Sequence, residues 1–246
     1  SNRIYDEEVH KLLKKRFSYQ YPYAYLRDLP VKVSVSELKK RSWHGEDDRE
    51  EALFSEPDIV PLVPDFISGG AEEYKGAARG TAYHRLMECL DYTAVDSENQ
   101  IHKQITALTE AKKMAYEEAQ CIRIQDIMTF LHSEIGQRMK KAFEENQLYR
   151  EQPFVLAQSM KNIEKDWNGE ETVLVQGIID AYFVENDEIV LVDYKTDKVR
   201  KGEEQYLIDH YHTQLEDYAQ ALERMLQKKV KETYIYSFTL GKMIPV

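Results

Sequence analysis

Val173-Leu174-Val175-Gln176-Gly177-Ile178-Ile179-Asp180-Ala181-Tyr182-Phe183-Val184, followed by Glu188-Ile189-Val190-Leu191-Val192-Asp193-Tyr194-Lys195, is the stretch on which the fold turns. Two β-rich apolar runs flank the turn-forming Glu185-Asn186-Asp187-Glu188, a pattern that predicts an antiparallel hairpin. With Asn186-Asp187 as the loop, or any even-length loop about the same centre, the register sets Asp180 opposite Asp193. Opposed side chains share a face of a sheet, and so do residues two apart along one strand. Asp180, Asp193 and Lys195 are therefore expected to project together, with Ile178 opposite the lysine.

Two carboxylates with Cβ atoms roughly 5 Å apart repel when nothing sits between them. Both runs are otherwise apolar on both faces, which predicts a sheet covered on both sides. A buried pair of like charges beside a lysine is costly unless a cation fills the gap. The plainer alternative is a surface hairpin carrying two solvated acids and a lysine; the apolar neighbours weigh against it. Mg²⁺ takes oxygen ligands, usually one or two carboxylates with waters and substrate phosphates, and Asp180 and Asp193 supply that minimum. Lys195 can orient an attacking water or stabilise growing negative charge. A helix-borne imidazole such as His84 would complete the shell and favour tolerance of Mn²⁺.

Composition sets the outer bounds. At 246 residues and 42% hydrophobic, the chain can bury a sizeable core. No run reaches membrane-spanning length, and no apolar signal segment stands at the start. The polar opening Ser1-Asn2-Arg3 reads as a scar before mid-protein sequence. Cys89 and Cys121 are too few for a cysteine-only metal or iron–sulfur site and read as reduced core thiols of a reducing compartment. A net charge of −11 argues against attraction of nucleic acid to the whole surface. It leaves open an enzyme whose acidic site is neutralised by metal.

Along the chain, residues 5–16 read as helix, and Tyr19 to Tyr25 as an aromatic cluster broken by Pro22. Ser34 and Glu37 have capping-box spacing before a basic helix over 36–42, whose lysines read as a solvated face or a phosphate contact. Residues 45–75 are acidic, proline-bearing and without period, as in a connector or an arm on a larger partner. Gly80-Thr81 is expected to open a helix with Thr81 as N-cap, placing His84 in the first turn, where the helix dipole disfavours its protonation. Helices over 101–120 and 123–146 follow, then a strand over 150–156 whose Pro153 puts it near an edge or a strand start. The hairpin, a helix over 203–229 and a strand over 232–238 complete an order of helix, three strands, helix, strand.

Asp180 and Asp193-Tyr194-Lys195 match the paired-acid and D/E-x-K signature of the PD-(D/E)xK nucleases. Gly80-Thr81-Ala82-Tyr83-His84, Arg150-Glu151-Gln152-Pro153-Phe154, Gln176-Gly177-Ile178-Ile179-Asp180, Asp193-Tyr194-Lys195-Thr196-Asp197 and Gln214-Leu215-Glu216-Asp217-Tyr218 occur in the order of the RecB-like branch. A lone D-x-K is weak; five blocks in order are specific. From about Val31 onward the chain resembles the C-terminal nuclease domain of AddA-type helicase–nuclease subunits. That resemblance implies an α/β restriction-endonuclease-like αβββαβ core with a mixed sheet and added helices. It divides the chain into a connector and helical appendage over 1–79 and a nuclease core over 80–246.

It implies further that His84, Asp180, Asp193 and the Tyr194 backbone carbonyl bind Mg²⁺, with Mn²⁺ tolerated, and that Lys195 is the catalytic lysine. Gln214 and Tyr218 would organise the site or contact DNA, although packing against the sheet explains their shared helix face equally well. Gln176 joins them in that role, and Glu151 either touches the metal through water or pairs locally. Single-stranded DNA from unwound duplex ends would be the substrate, and the bacterial cytoplasm the location. The implied partners are the helicase motor of the same full-length chain and an AddB-type partner subunit. The cysteine cluster of iron–sulfur relatives is absent from this sequence, as is a helicase motor. A catalytically inactive DNA-binding or scaffolding module is the alternative, disfavoured because His84, Asp180, Asp193 and Lys195 are all retained. An acidic interaction domain is a third reading, compatible with catalysis.

Overall fold

The computed structural model describes residues 7–17, 32–35, 37–38, 71–163 and 169–246. In chain order the first half comprises α1 (Glu7–Phe17), β1 (Lys32–Ser34), α2 (Ala71–Cys89), α3 (Glu98–Glu110), α4 (Tyr116–Ala119), α5 (Ile124–His132) and α6 (Glu134–Glu144). The second half comprises β2 (Leu148–Ser159), α7 (Met160–Ile163), β3 (Thr172–Glu185), β4 (Glu188–Lys195), α8 (Glu204–Leu226), β5 (Val230–Ser237) and β6 (Lys242–Pro245). The aromatic cluster at 19–25 and residues 45–70 of the acidic connector lie outside the described residues, as does most of the basic segment at 36–42. Ser34 and Glu37 make the reciprocal capping bonds that their spacing predicts.

The hairpin forms with the expected loop. Glu185 pairs with Glu188, and Asn186 and Asp187 both take positive φ, 53° and 69°. That is the turn whose twist matches two right-twisted strands. The antiparallel ladder runs back to Ala181 and Val192 and stops there, one step before Asp180 and Asp193. β3 pairs with β2 along its length, with β4 over its C-terminal half and with β1, in parallel, over Leu174 to Gln176. β5 lies parallel to β4, and β6 returns antiparallel on β5, so the described strands make one mixed six-stranded sheet. Among the described strands β2 pairs only with β3, the edge position that Pro153 requires.

Both faces of the sheet are covered. Ala181, Phe183, Val190, Val192, Tyr194 and Tyr236 pack under the helical lobe of α2, α3, α5 and α6. Val173, Val175, Ile179, Tyr182, Leu191 and Ile235 pack against Leu207, Tyr211, Leu215, Tyr218 and Leu222 of α8. Odd-numbered residues of β3 thus face α8 up to Ile179 and the helical lobe from Ala181 onward. The alternation slips at Asp180. Opposite it, Glu151 has φ 47°, and the Glu151–Asp180 step is the one missing from an otherwise continuous β2–β3 ladder.

Several expected boundaries shift. α2 begins nine residues before Gly80, so Thr81 is no N-cap: its hydroxyl donates to the Ala77 carbonyl one turn back. Gly80 lies inside the helix where it passes Thr196, and a Cβ there would make only an ordinary 3.5 Å contact with the Thr196 Oγ1. α2 also crosses the division expected at residue 80, and β1 from the first segment lies in the common sheet. The single helix expected over 123–146 is two, because Ser133 caps α6 through the Gly136 N–H. The helix expected over 101–120 breaks into α3 and the short α4. β6, which follows the left-handed Gly241, carries no period in sequence.

Gly136 sits where the two helices touch: a Cβ would fall 2.0 Å from the Phe130 carbonyl oxygen. Backbone cannot yield as a side chain does, so Gly136→Ala should cost at least about 1–3 kcal/mol. Urea denaturation checks this; an unchanged midpoint would mean that α5 and α6 are not packed as described.

Candidate active site

Asp180 occupies the point where the chain changes face. Its Oδ2 accepts the Tyr194 N–H at 2.8 Å, standing in for the strand partner that the ladder no longer supplies. Its Oδ1 lies 3.3 Å from His84 Nδ1. His84 Nε2 is 3.0 Å from the Tyr194 carbonyl oxygen, so the imidazole bridges a carboxylate and a backbone carbonyl. Ligand atoms of His84, Glu151 and Asp180 all lie within 4.8 Å of one another. Hard oxygens with one imidazole suit a divalent cation of the Mg²⁺ or Mn²⁺ kind, so the donor set fits such an ion.

His84 is in the middle of α2, not in its first turn, and the expected suppression of its charge is reversed. Burial pushes its pKa down, but the Asp180 carboxylate more than offsets this and raises it to about 9. The metal-free side chain is an imidazolium, with both N–H groups donating. Burial also pushes Glu151 up, and the charge of Asp180 adds to it, giving about 7. The strain expected between Asp180 and Asp193 therefore falls on Glu151 instead. Asp180 has His84 and a backbone N–H, while Asp193 has Lys195 Nζ at 3.0 Å.

Asp193 and Lys195 are 1% and 3% exposed, the most enclosed charges of the group. They meet α8, where the Tyr211 ring lies 4.1 Å from Lys195 Nζ. A desolvated ammonium over an aromatic face is held by the ring quadrupole as well as by its counter-ion. Tyr211 in turn donates from its hydroxyl to Asp197 Oδ1 at 2.9 Å, tying down the residues after β4. Gln214 and Tyr218, one and two turns further along α8, are buried and joined by a 3.0 Å hydrogen bond from Gln214 Nε2. Tyr218 also meets Phe154 edge-on, in a space that exists because residue 177 has no side chain. A Cβ on Gly177 would lie 2.7 Å from the Phe154 ring.

The structure thus brings His84, Asp180, Glu151 and the Tyr194 carbonyl together, while Asp193 and Lys195 pair with each other and meet α8, so the expected common projection of Asp180 with Asp193 and Lys195 does not form. Gln176 stands apart: it pairs with Val155 and Ser34, four residues or roughly 13 Å back along β3. Sequence patterning does not single out Tyr211, although its place three residues before Gln214 puts it on the same helix face.

Glu151 has a folded pKa above its ordinary value, so its contribution to stability is present at low pH and is lost as pH rises through about 7. In EDTA, Glu151→Gln should therefore melt higher than wild type at pH 8 and converge with it near pH 5. A lower melting temperature at pH 8 would show that the carboxylate is not under charge strain.

The PD-(D/E)XK nuclease superfamily matches residues 63–242. The AddA-type ATP-dependent helicase/nuclease subunit of Alkaliphilus metalliredigens is 40% identical over 232 residues, 94% of this chain and 19% of that protein. The proteins of the same description from Clostridium perfringens strain SM101 and Clostridium beijerinckii are 33% and 34% identical, over 95% and 100% of this chain. The chain spans about a fifth of the length of these curated relatives. With the αβββαβ order, the mixed sheet and the residues at its break, the match makes this chain a member of the PD-(D/E)XK nuclease superfamily.

Proposed function

We propose that this chain is the nuclease domain of a helicase–nuclease subunit, hydrolysing phosphodiester bonds of single-stranded DNA in a divalent-cation-dependent reaction. The observation that carries the reading is the cluster of His84, Glu151 and Asp180 ligand atoms at the sheet break, beside the Asp193–Lys195 pair. The relatives' description as ATP-dependent helicase/nuclease subunits supports the assignment to an end-processing machine. In that setting a cytoplasmic motor, within the same full-length polypeptide, would feed unwound strands to the site beside an AddB-type partner subunit. No helix among the described residues is long and apolar enough to cross a membrane.

His84, Asp180, Asp193 and the Tyr194 carbonyl are the proposed metal donors, with Glu151 as a further carboxylate in reach. A bound Mg²⁺ or Mn²⁺ would neutralise phosphate charge and lower the pKa of a coordinated water. Lys195 is held between Asp193 and the Tyr211 ring, and so would offer a fixed donor where negative charge develops. Gln214 and Tyr218 support that side of the site from α8, and Gln176 is assigned to strand contact further along β3.

Two outcomes test the reading. Cleavage of labelled single-stranded DNA should require Mg²⁺ or Mn²⁺ and stop in EDTA. Asp193→Ala and Lys195→Ala should each lower it at least about 10²-fold while leaving the fold intact. Near-normal activity of either folded variant would remove the hydrolytic assignment.

A cation must also displace the His84 proton, bound up to about pH 9, and that of Glu151, bound up to about pH 7. Mn²⁺ affinity should accordingly strengthen as pH rises from 6.5 to 8.5, with net proton release measurable by calorimetry in two buffers. Affinity independent of pH across that window would exclude His84 as a ligand.

A further inference from the structure

His84 works only if α2 holds it at one height above the sheet. A slide of about 1 Å would carry Nε2 out of hydrogen-bond range of the Tyr194 carbonyl, from which it stands 3.0 Å away. Two arginines, one contacting α2 on each side of His84, resist that slide. Arg79, five residues before His84, donates from Nη1 to the Thr196 carbonyl at 3.3 Å and to the Thr239 hydroxyl at 3.2 Å. Its Nη2 donates to Asp126 Oδ2 at 3.3 Å, an oxygen that also accepts the Tyr83 hydroxyl at 2.6 Å. Thr196 follows Lys195 directly, and the Lys195 carbonyl accepts the Phe238 N–H at 2.9 Å. One guanidinium therefore ties α2 to the end of β4, the turn after β5 and the start of α5.

The C-terminal end of α2 lacks a cation of its own, since no basic residue stands in its last turn. Arg150 of β2 supplies it. Its Nη1 donates to the Leu90 carbonyl at 2.6 Å and the Met87 carbonyl at 3.3 Å, closing the helix C-terminus. The Phe143 and Tyr92 rings hold the guanidinium at 5.4 and 6.0 Å. Arg150 immediately precedes Glu151, so the same contact fixes the strained residue against the helix that bears His84.

We infer that Arg79 and Arg150 are positioning residues that clamp α2 on either side of His84, set the reach of His84 towards Asp180 and the Tyr194 carbonyl, and thereby tune divalent-cation affinity. The inference rests on the proposed metal site but not on DNA as its substrate. Partly buried guanidinium pairs are costly to desolvate, and the fork geometry is what lysine cannot copy. Partners one step removed from a metal typically change its affinity by about 10–100-fold.

The test is calorimetric titration of Mn²⁺ into the 246-residue chain as wild type, Arg79→Lys, Arg150→Lys and Arg138→Lys. Arg138 is the matched control: it bridges Glu185 and Glu232 at 2.8 and 2.6 Å, away from His84. Arg79→Lys and Arg150→Lys should each weaken Mn²⁺ binding about tenfold or more. Arg138→Lys should lower the melting temperature and leave Mn²⁺ affinity within twofold. If Arg79→Lys does not fold, Asp126→Asn and Thr239→Val take its place, removing partners of the same guanidinium, and should weaken binding in the same direction. Affinity within twofold of wild type in the folded clamp variants, or an equal loss in Arg138→Lys, would overturn the clamp. Cleavage of single-stranded DNA by the wild type is measured alongside: Mn²⁺ uptake with the expected variant losses but no cleavage would sink the proposed function and uphold the clamp. No Mn²⁺ uptake by the wild type would overturn the clamp together with the metal site.

Discussion

The missing pair between Glu151 and Asp180 is the constraint from which the site follows. A regular β2–β3 ladder would keep β3 in strict alternation, whereas the strand changes face at Asp180. The slip instead turns the Asp180 carboxylate alongside the Tyr194 N–H, where the β3–β4 ladder has just ended. The cost is a non-glycine residue at positive φ, of order 1–3 kcal/mol for a conformation that L side chains seldom adopt. Such strain persists where surrounding structure over-determines it. Here the continuous pairing on either side of Glu151, from Leu148 to Arg150 and from Gln152 to Ser159, supplies that restraint.

Charge is handled pairwise at this break. Two apolar layers leave little water to solvate an acid, so Asp180 and Asp193 have each acquired a specific partner. Asp180 takes an imidazolium and a backbone donor; Asp193 takes Lys195, itself held over Tyr211. Glu151 has neither and keeps its proton to about neutral pH. The local arrangement is thus close to neutral without a metal, inside a chain whose net charge is −11. A cation entering the cluster would replace protons rather than add charge.

The hairpin is legible in the sequence because three signals agree on it: two β-rich apolar runs, an Asn-Asp turn between them and acids at matched distances from that turn. The coverage of both faces follows from continuous apolar runs for the same reason. The slip is not legible. Glu151 carries no mark of positive φ, a conformation that glycine or asparagine would have announced, and its αL state is imposed by tertiary contacts. The start of α2 is hidden because Gly80 has the local character of a boundary. Packing around position 80 does not require glycine either, since a Cβ there would meet Thr196 at ordinary contact distance. The consequence reaches the site: a His84 in a first turn would be kept neutral by the dipole, whereas its real neighbour is a carboxylate.

The same false boundary conceals Arg79. In a chain divided at residue 80 it falls in a connector, where an arginine is a solvated charge. In a helix that begins at Ala71 it lies between the sheet and the helical lobe, with three elements in reach of one guanidinium. Arg150 stands inside a recognisable motif, but nothing local says that its partners are carbonyls sixty residues earlier. Residues whose role is to hold one element against another leave no periodic trace in the sequence, because their partners are distant in the chain. The proposed ligands stand out in the pattern, but the groups that set the distances between them emerge only once α2 and β2 are placed against the sheet.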